Sequence, residues 1–199
     1  MLERFARKVT GKLIDYKCIV PAQKEDYVYA MVMAMEKWIT LSAIIVIGVY
    51  FRVVISTIFF LIFLFAIKRR SGGFHANNFE TCFLVTIGTY VGFVTLLMPI
   101  MLKTIELTYI ALSISIVILE LIGAVNHPNM NWNMEEYMES KSASRLVVAM
   151  EGMFIIVFVY LGGNEEVIVF MAFAVIISAL LLLLAKISKQ EVSNEKRNN

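Results

Sequence analysis

The sequence predicts an all-α protein: a polytopic bundle of about six transmembrane helices that forms a single membrane domain over residues 1–199. Apolar residues make up 59% of the 199-residue chain and charged residues only 17%. A soluble domain of this length has no core large enough for so much apolar surface. The charges are also clustered, because the stretches 53–67 and 167–185 contain none. Charge-free stretches that alternate with polar ones are typical of a multi-span membrane protein.

The first 14 residues predict an amphipathic helix within a polar cytoplasmic segment, residues 1–26. Its apolar residues recur at helical spacing, and its basic residues fall elsewhere on the helical wheel: Leu2, Phe5, Val9 and Leu13 against Arg4, Arg7, Lys8 and Lys12. Such a helix either lies on an anionic leaflet or packs on the protein itself. We expect Pro21 to end this segment before the first span.

Residues 27–67 are mostly apolar, and Arg52 interrupts them. Since a span needs about 20 residues, this stretch fits two helices, 28–50 and 53–67, with a turn near Arg52. The alternative is one helix over 41–67 with Arg52 at the bilayer midplane. An unpaired arginine there is energetically costly, so the turn is favoured.

The remaining apolar stretches predict four more spans, at 81–100, 107–125, 146–161 and 167–187. Pro99 is a plausible stop signal for the third span, because proline cannot continue a regular helix. A long polar connector, 126–145, precedes the fifth span. The polar tail 188–199 is expected to be disordered.

An even number of spans gives the chain a consistent orientation. The basic regions then share one side of the membrane: the N-terminal segment, residues 68–70, Lys141 with Arg145, and the tail. The opposite connectors carry fewer basic residues and the acidic pair Glu165-Glu166. Because cytoplasmic loops are enriched in Lys and Arg, both termini and the 68–80 loop are predicted to be cytoplasmic.

One candidate catalytic pair lies in the 68–82 region, where His75 and Cys82 are seven residues apart. In one continuous helix they would be separated by about 10.5 Å along the axis, too far for a hydrogen bond. Asn77 followed by Glu80 resembles a capping box, which would start a helix near Asn78. Cys82 would then lie about one turn inside the helix, and His75 would lie in the preceding loop.

The surroundings of this pair suit thiol chemistry. A helix N-terminus and the cations Lys68-Arg69-Arg70 favour a thiolate, and an imidazole can take and return its proton. Gly72-Gly73 would let backbone N–H groups approach a substrate carbonyl. On spacing alone the plainer alternative is favoured: an inert boundary cysteine, an unremarkable loop histidine, a simple turn and a topology signal.

The local sequence changes that balance. The string Gly72-Gly73-Phe74-His75-Ala76, with Arg70 upstream and Cys82 downstream, resembles the signature of the accessory gene regulator B family. Chain length, the basic N-terminus and the multi-span body also match. The segment 124–129, AVNHPN, resembles a second family segment, although it continues Met-Asn-Trp-Asn where the commoner form has Asn-Lys-Pro-Leu.

The resemblance implies a membrane cysteine endopeptidase in the plasma membrane of a Gram-positive bacterium, with its active site facing the cytoplasm. It implies that Cys82 is the nucleophile and His75 the general base, and we expect Gly72, Gly73 and Arg70 to contact substrate. The implied partners are the precursor peptide of a cyclic quorum-sensing autoinducer, the lipid membrane and a second copy of the chain as a homodimer. Neither a metal nor another cofactor is implied.

Two other classes remain open from the sequence. One is a small membrane transporter or peptide exporter without covalent catalysis, although charge-free spans do not favour a polar pathway. The other is a structural assembly partner in which the His75 and Cys82 pair is incidental. Nucleic acid binding is not indicated, because the basic residues are not interleaved with aromatics on a soluble surface.

Overall fold

The computed structural model describes residues 2–73, 79–126 and 132–188, and within these ranges the chain is helical apart from short turns and connections. The eight α-helices of the described residues are α1 (Leu2–Asp15), α2 (Lys24–Tyr50), α3 (Val54–Ser71), α4 (Phe79–Gly92), α5 (Met98–Lys103), α6 (Ile105–Ile122), α7 (Met134–Tyr160) and α8 (Glu165–Ile187). A 3₁₀ turn, Pro21–Gln23, precedes α2, and a π-helical turn, Phe93–Leu97, joins α4 to α5. The all-α prediction is confirmed.

The protein is a multi-pass membrane protein. In the described part of the chain, five helical stretches are long and apolar enough to cross a bilayer: Pro21–Tyr50, Phe79–Lys103, Ile105–Ile122, Met134–Tyr160 and Glu165–Ile187. The remaining predicted span, 53–67, corresponds to α3, whose last turn carries Lys68, Arg69 and Arg70. Its apolar part, residues 54–67, is about 21 Å long, shorter than the hydrocarbon core of a typical bilayer. About six spans therefore describes the bundle.

Helix α8 lies at the centre of this bundle and packs against α3, α5, α6 and α7. It is the most continuously buried helix, because its apolar residues occur on every face. Aromatic rings join it to its neighbours: Phe173 stacks on Phe93 with ring centroids 3.9 Å apart, and Phe60 of α3 also stacks on Phe173. A helix that is apolar all round is expected in such a position.

The turn predicted at Arg52 is confirmed. Helix α2 ends at Tyr50 and α3 begins at Val54, with Arg52 between them at a φ of 62°. The two helices approach closely at Gly48, where a Cβ atom would lie only 2.5 Å from Thr57 Oγ1. A single helix over 41–67 is therefore excluded.

The prediction that Pro99 stops the third span is wrong. The helix continues to Lys103, with Pro99 in the first turn of α5 directly after the π-helical turn. Proline lacks an N–H group and its ring crowds the carbonyl one turn earlier. A π-helical turn widens the backbone at that point, which allows the helix to pass the proline.

The connector predicted over 126–145 is too long. Helix α7 begins at Met134, where Asn133 and Glu136 form a capping box through bonds of 2.8 and 2.9 Å. Its polar first turns continue into the apolar span without a break, so hydropathy marks the span and not the helix. Helix α6 ends earlier than predicted, at Ile122, because Gly123 leaves the helix with a φ of 75°.

The N-terminal helix is present as predicted, and it packs on α2. Its buried residues are the small side chains Ala6 and Thr10 rather than the predicted apolar stripe, and Phe5 remains 57% exposed. Arg7 joins α1 to α2 through an ion pair with Glu25 at 2.8 Å, and it also pairs with Glu3 of its own helix at 2.9 Å. The helix is therefore docked on the protein with its apolar stripe only partly covered, since Leu2, Val9 and Leu13 are half-buried.

The bundle has two chemically different ends. Helices α3 and α8 run parallel, because Ser56 bonds to Glu166 near their N-termini and Gly73 adjoins Leu181 near their C-termini. We call the end that carries Ser71, the start of α4 and the start of α7 the site end. The far end carries the turns at 51–53 and 161–164. The predicted disordered tail lies, from residue 189 onward, outside the described residues.

Candidate active site

Cys82 lies at the site end, in the first turn of the described part of α4, which begins at Phe79. Its thiol is free and exposed. The predicted capping residues Asn77 and Asn78 lie outside the described residues, as does His75. The position of Cys82 one turn into α4 agrees with the sequence analysis, and its pairing with His75 stays a prediction.

Lys68 is the basic residue that interacts with Cys82. It follows the apolar part of α3, and its side chain is half-buried. Burial lowers the pKa of Lys68, and the negative charge of the nearby Cys82 thiolate acts against this by raising it. An ammonium group next to a thiol stabilises the thiolate by the same Coulomb attraction. The structure thus singles out Lys68 from the basic triplet.

Arg69 and Arg70 point elsewhere. Both side chains are exposed, and within the described part of the chain neither forms an ion pair. They line an open cleft of about 240 Å³ together with Trp132, Glu136, Glu139 and Ser140. Arg70 was predicted to contact substrate, and its free guanidinium is compatible with that role.

Gly72 and Gly73 end α3 in conformations that favour glycine, with φ angles of 70° and 135°. Both residues are buried. The Gly72 N–H group donates to Lys68 O at 3.2 Å, so it closes the helix and is not available to a substrate. The Gly-Gly pair therefore ends α3 and turns the chain out of the helix.

The connection between α6 and α7 adds residues that the sequence analysis did not single out. Asn126 is fully buried and bonds to both backbone groups of Trp132, and Val125 N–H donates to Ser71 O at 2.9 Å. Ser140 Oγ donates to Arg70 O at 2.8 Å. In the sequence, only the family-like string 124–129 drew attention to this connection, and it did not indicate which residues contact α3. His127 lies outside the described residues.

Three acidic residues, Glu36, Glu120 and Glu151, lie in or near the spans, where carboxylates often pair with cations. None of them does so among the described residues, where the only ion pairs are those of Arg7. Arg145 Nε instead donates to the backbone carbonyl of Glu120 at 2.8 Å. Both carboxyl oxygens of Glu151 are buried without a hydrogen-bond partner. No group of three His, Cys, Asp or Glu side chains among the described residues could hold a metal ion.

Comparison with known proteins gives one match. A family model described as accessory gene regulator B matches residues 6–185, a range that covers most of α1, nearly all of the last span, the other spans and the candidate site. No curated protein and no solved structure matches the chain.

Proposed function

We propose that the protein is the membrane cysteine endopeptidase of the accessory gene regulator quorum-sensing system. The family match covers most of the chain, so the protein belongs to the accessory gene regulator B family and has a role in that system. Its substrate would be the precursor peptide of a cyclic autoinducer. The observation that carries the proposal is the exposed Cys82 thiol in the first turn of α4, within electrostatic range of the half-buried Lys68.

The proposed reaction has two steps. His75 takes the proton of Cys82, and the sulfur attacks the carbonyl on the C-terminal side of the future ring. The amide C–N bond breaks, His75 returns the proton to the leaving amine, and an acyl-thioester remains on Cys82. An internal thiol or hydroxyl of the peptide then attacks the thioester. This closes a thiolactone or a lactone and releases Cys82 as a thiol.

Access of water decides whether cyclisation or hydrolysis follows. Exchange between two thioesters is nearly balanced in energy, so the ring forms only if water is kept from the acyl-enzyme. The Cys82 thiol is exposed in the described structure. The bound peptide and the surrounding lipid would therefore have to keep water from the acyl-enzyme.

The orientation of the site follows from the distribution of charge. The site end carries Lys68, Arg69, Arg70, Lys141, Arg145 and Lys186, whereas the far end carries Arg52, Lys103, Glu106, Glu165 and Glu166. The positive-inside rule places the site end in the cytoplasm. We propose that the protein lies in the plasma membrane of a Gram-positive bacterium and cleaves its substrate from the cytoplasmic side, as a homodimer.

The test is cleavage of the precursor peptide by the purified protein in liposomes, followed by mass spectrometry. Cys82→Ala and His75→Ala are expected to lose cleavage and cyclisation, while Cys18→Ala retains both. Cys18 is the matched control, since it is the other free, exposed cysteine among the described residues. A wild-type sample quenched in acid should carry the peptide as an acyl group on Cys82.

Cleavage by Cys82→Ala would overturn the proposal. Transport of the peptide by both cysteine variants, with no cleavage by the wild type, would identify a transporter without covalent chemistry instead.

A further inference from the structure

The end of α3 is held by another segment of the chain. A helix leaves its last carbonyl groups without partners in the helix itself, and these must be satisfied by caps, water or neighbouring groups. Here the α6–α7 connection and α7 supply them: Val125 N–H of the connection donates to Ser71 O at 2.9 Å, and Ser140 Oγ of α7 donates to Arg70 O at 2.8 Å. The last turn of α3 is therefore fixed from the side of α7.

Asn126 is the residue that holds this connection together. Its side-chain amide donates from Nδ2 to Trp132 O at 2.8 Å, and its Oδ1 accepts from Trp132 N–H at 3.1 Å. Both polar ends of a fully buried side chain are thus satisfied by the backbone of one residue. These two bonds join the residue after Val125 to the residue before the capping box of α7, so they close the loop between them.

A third contact ties the same connection to α7. Tyr137 Oη donates to Ala124 O at 3.3 Å, and Gly123, with its φ of 75°, allows the chain to leave α6 in that direction. Residues 124–126 therefore have bonds to the end of α3 on one side and to the start of α7 on the other. Neutral side chains and backbone groups form all of these bonds.

The position of Ser71 matters to the site for a reason of connectivity. Ser71 is followed directly by Gly72 and Gly73, which turn the chain out of α3, and His75 is the second residue after Gly73 in the sequence. Because the Ser71 carbonyl is held by Val125, the point at which this turn begins is set by the α6–α7 connection. The same helix end carries Lys68, one turn earlier, beside Cys82.

We propose that Asn126 is a positioning residue of the peptidase: by fixing the α6–α7 connection against Ser71, it sets where the chain leaves α3, four residues before His75. This inference rests on the proposed function. Asn126 does not touch the reacting atoms, and it acts through Val125 and Ser71. Displacement of a catalytic group by about 1 Å costs up to about 100-fold in rate.

The test compares Asn126→Ala with Tyr90→Phe in the full-length protein in liposomes. Tyr90 is a matched control because it is also buried and its hydroxyl also bonds to a buried partner, Thr57, but at the far end. Per folded molecule, Asn126→Ala is expected to lower kcat by about 10- to 100-fold with little change in KM. Tyr90→Phe should keep the wild-type kcat even if its melting temperature falls as far as that of Asn126→Ala.

A second measurement reports on the mechanism. The fall of kcat at low pH reflects protonation of the catalytic histidine. If His75 is displaced, kcat of Asn126→Ala should depend less steeply on pH in this range, whereas the pH dependence of Tyr90→Phe should equal that of the wild type. Asn126→Asp, which keeps the acceptor for Trp132 N–H, should recover part of the rate, and it decides the question if the alanine variant does not fold. Amide exchange at Val125 and Trp132 should become faster in both Asn126 variants.

The two proposals fail in different ways. Wild-type kcat and pH profile in a folded Asn126 variant, with cleavage still dependent on Cys82, would overturn the positioning role and leave the peptidase intact. Equal loss of kcat in Asn126→Ala and Tyr90→Phe would also overturn it, since the effect would then be one of general stability. Cleavage that does not depend on Cys82 would overturn the proposed function itself.

Discussion

The two ends of the helical bundle use polar side chains in opposite ways. At the far end, polar side chains bind one another: Ser56 bonds to Glu166, and Thr57 bonds to Tyr90 at 2.6 Å between the two hydroxyl oxygens. At the site end, Ser140 and Arg145 bind backbone carbonyl groups of α3 and α6. The bonds at the far end therefore fix helices to each other, and those at the site end fix the ends of helices.

This difference leaves different chemistry available at each end. The far-end hydroxyl and carboxyl groups named above are consumed by internal bonds in a low-dielectric environment, which suits a purely structural role. At the site end the backbone is held by groups other than the basic triplet, so Lys68, Arg69 and Arg70 have no ion pair among the described residues. Structure and reactivity are thus separated along the bundle axis, and substitutions at the two ends should affect different measurements.

The largest expected effect is on stability and comes from the far end. In Gly48→Ala the new Cβ would lie 2.5 Å from Thr57 Oγ1, a buried atom that also bonds to Tyr90 and Val53. Overpacking of this kind costs about 2 kcal/mol, so we expect a melting temperature several degrees lower in detergent. Cleavage per folded molecule should not change.

Gly88→Ala is the matched control, because a Cβ at this helical glycine of α4 meets no atom within 4 Å. An unchanged melting temperature in Gly48→Ala would show that α2 and α3 are less closely packed at the far end than the contact indicates.

The second prediction concerns reactivity at the site end. In a Cys18→Ala background, Lys68→Met should slow alkylation of Cys82 by a small thiol reagent about two- to fivefold, because the thiolate loses a cation that acts on it electrostatically and the pair is partly screened by solvent. Arg69→Gln, which removes an exposed neighbouring cation, is the control and should have little effect.

The pH dependence sharpens this prediction. Burial lowers the pKa of Lys68, so its ammonium charge is lost at a lower pH than that of an exposed lysine. The ratio of wild-type to Lys68→Met rates should therefore be largest near neutral pH and decline toward one as the pH rises through this lowered pKa. A ratio that stays constant into the alkaline range would show that Lys68 does not act through its charge.

The smallest effect is expected between the two ends, at Glu151. Its carboxyl oxygens are buried with no partner, and an unpaired charge inside a membrane protein is costly. Glu151→Gln removes the ionisable group while keeping the shape, so the melting temperature should stay the same or rise slightly. A fall of several degrees would reveal a partner of the carboxyl group, for example a bound water or a second copy of the chain.

The sequence predicted the helices and their order because apolarity over some 20 residues is a local property of the chain. The turn at Arg52 followed from the cost of a buried arginine, whereas the capping of α4 by Asn77 or Asn78 stays a prediction. Pro99 was misjudged, because a π-helical turn depends on the packing of Phe93 in the bundle core, which no local pattern records.

Chain chemistry alone thus determined an all-helical membrane bundle, the approximate position of each span, and Cys82 with His75 as candidates for catalysis. Tertiary structure decided which basic residue lies beside Cys82, that the Gly72 N–H group is used by its own helix, and that Asn126 holds the end of α3. Those facts depend on contacts between residues far apart in the sequence, such as Ser71 with Val125 and Arg70 with Ser140. Such contacts exist only once the helices have packed, so no local pattern in the sequence encodes them.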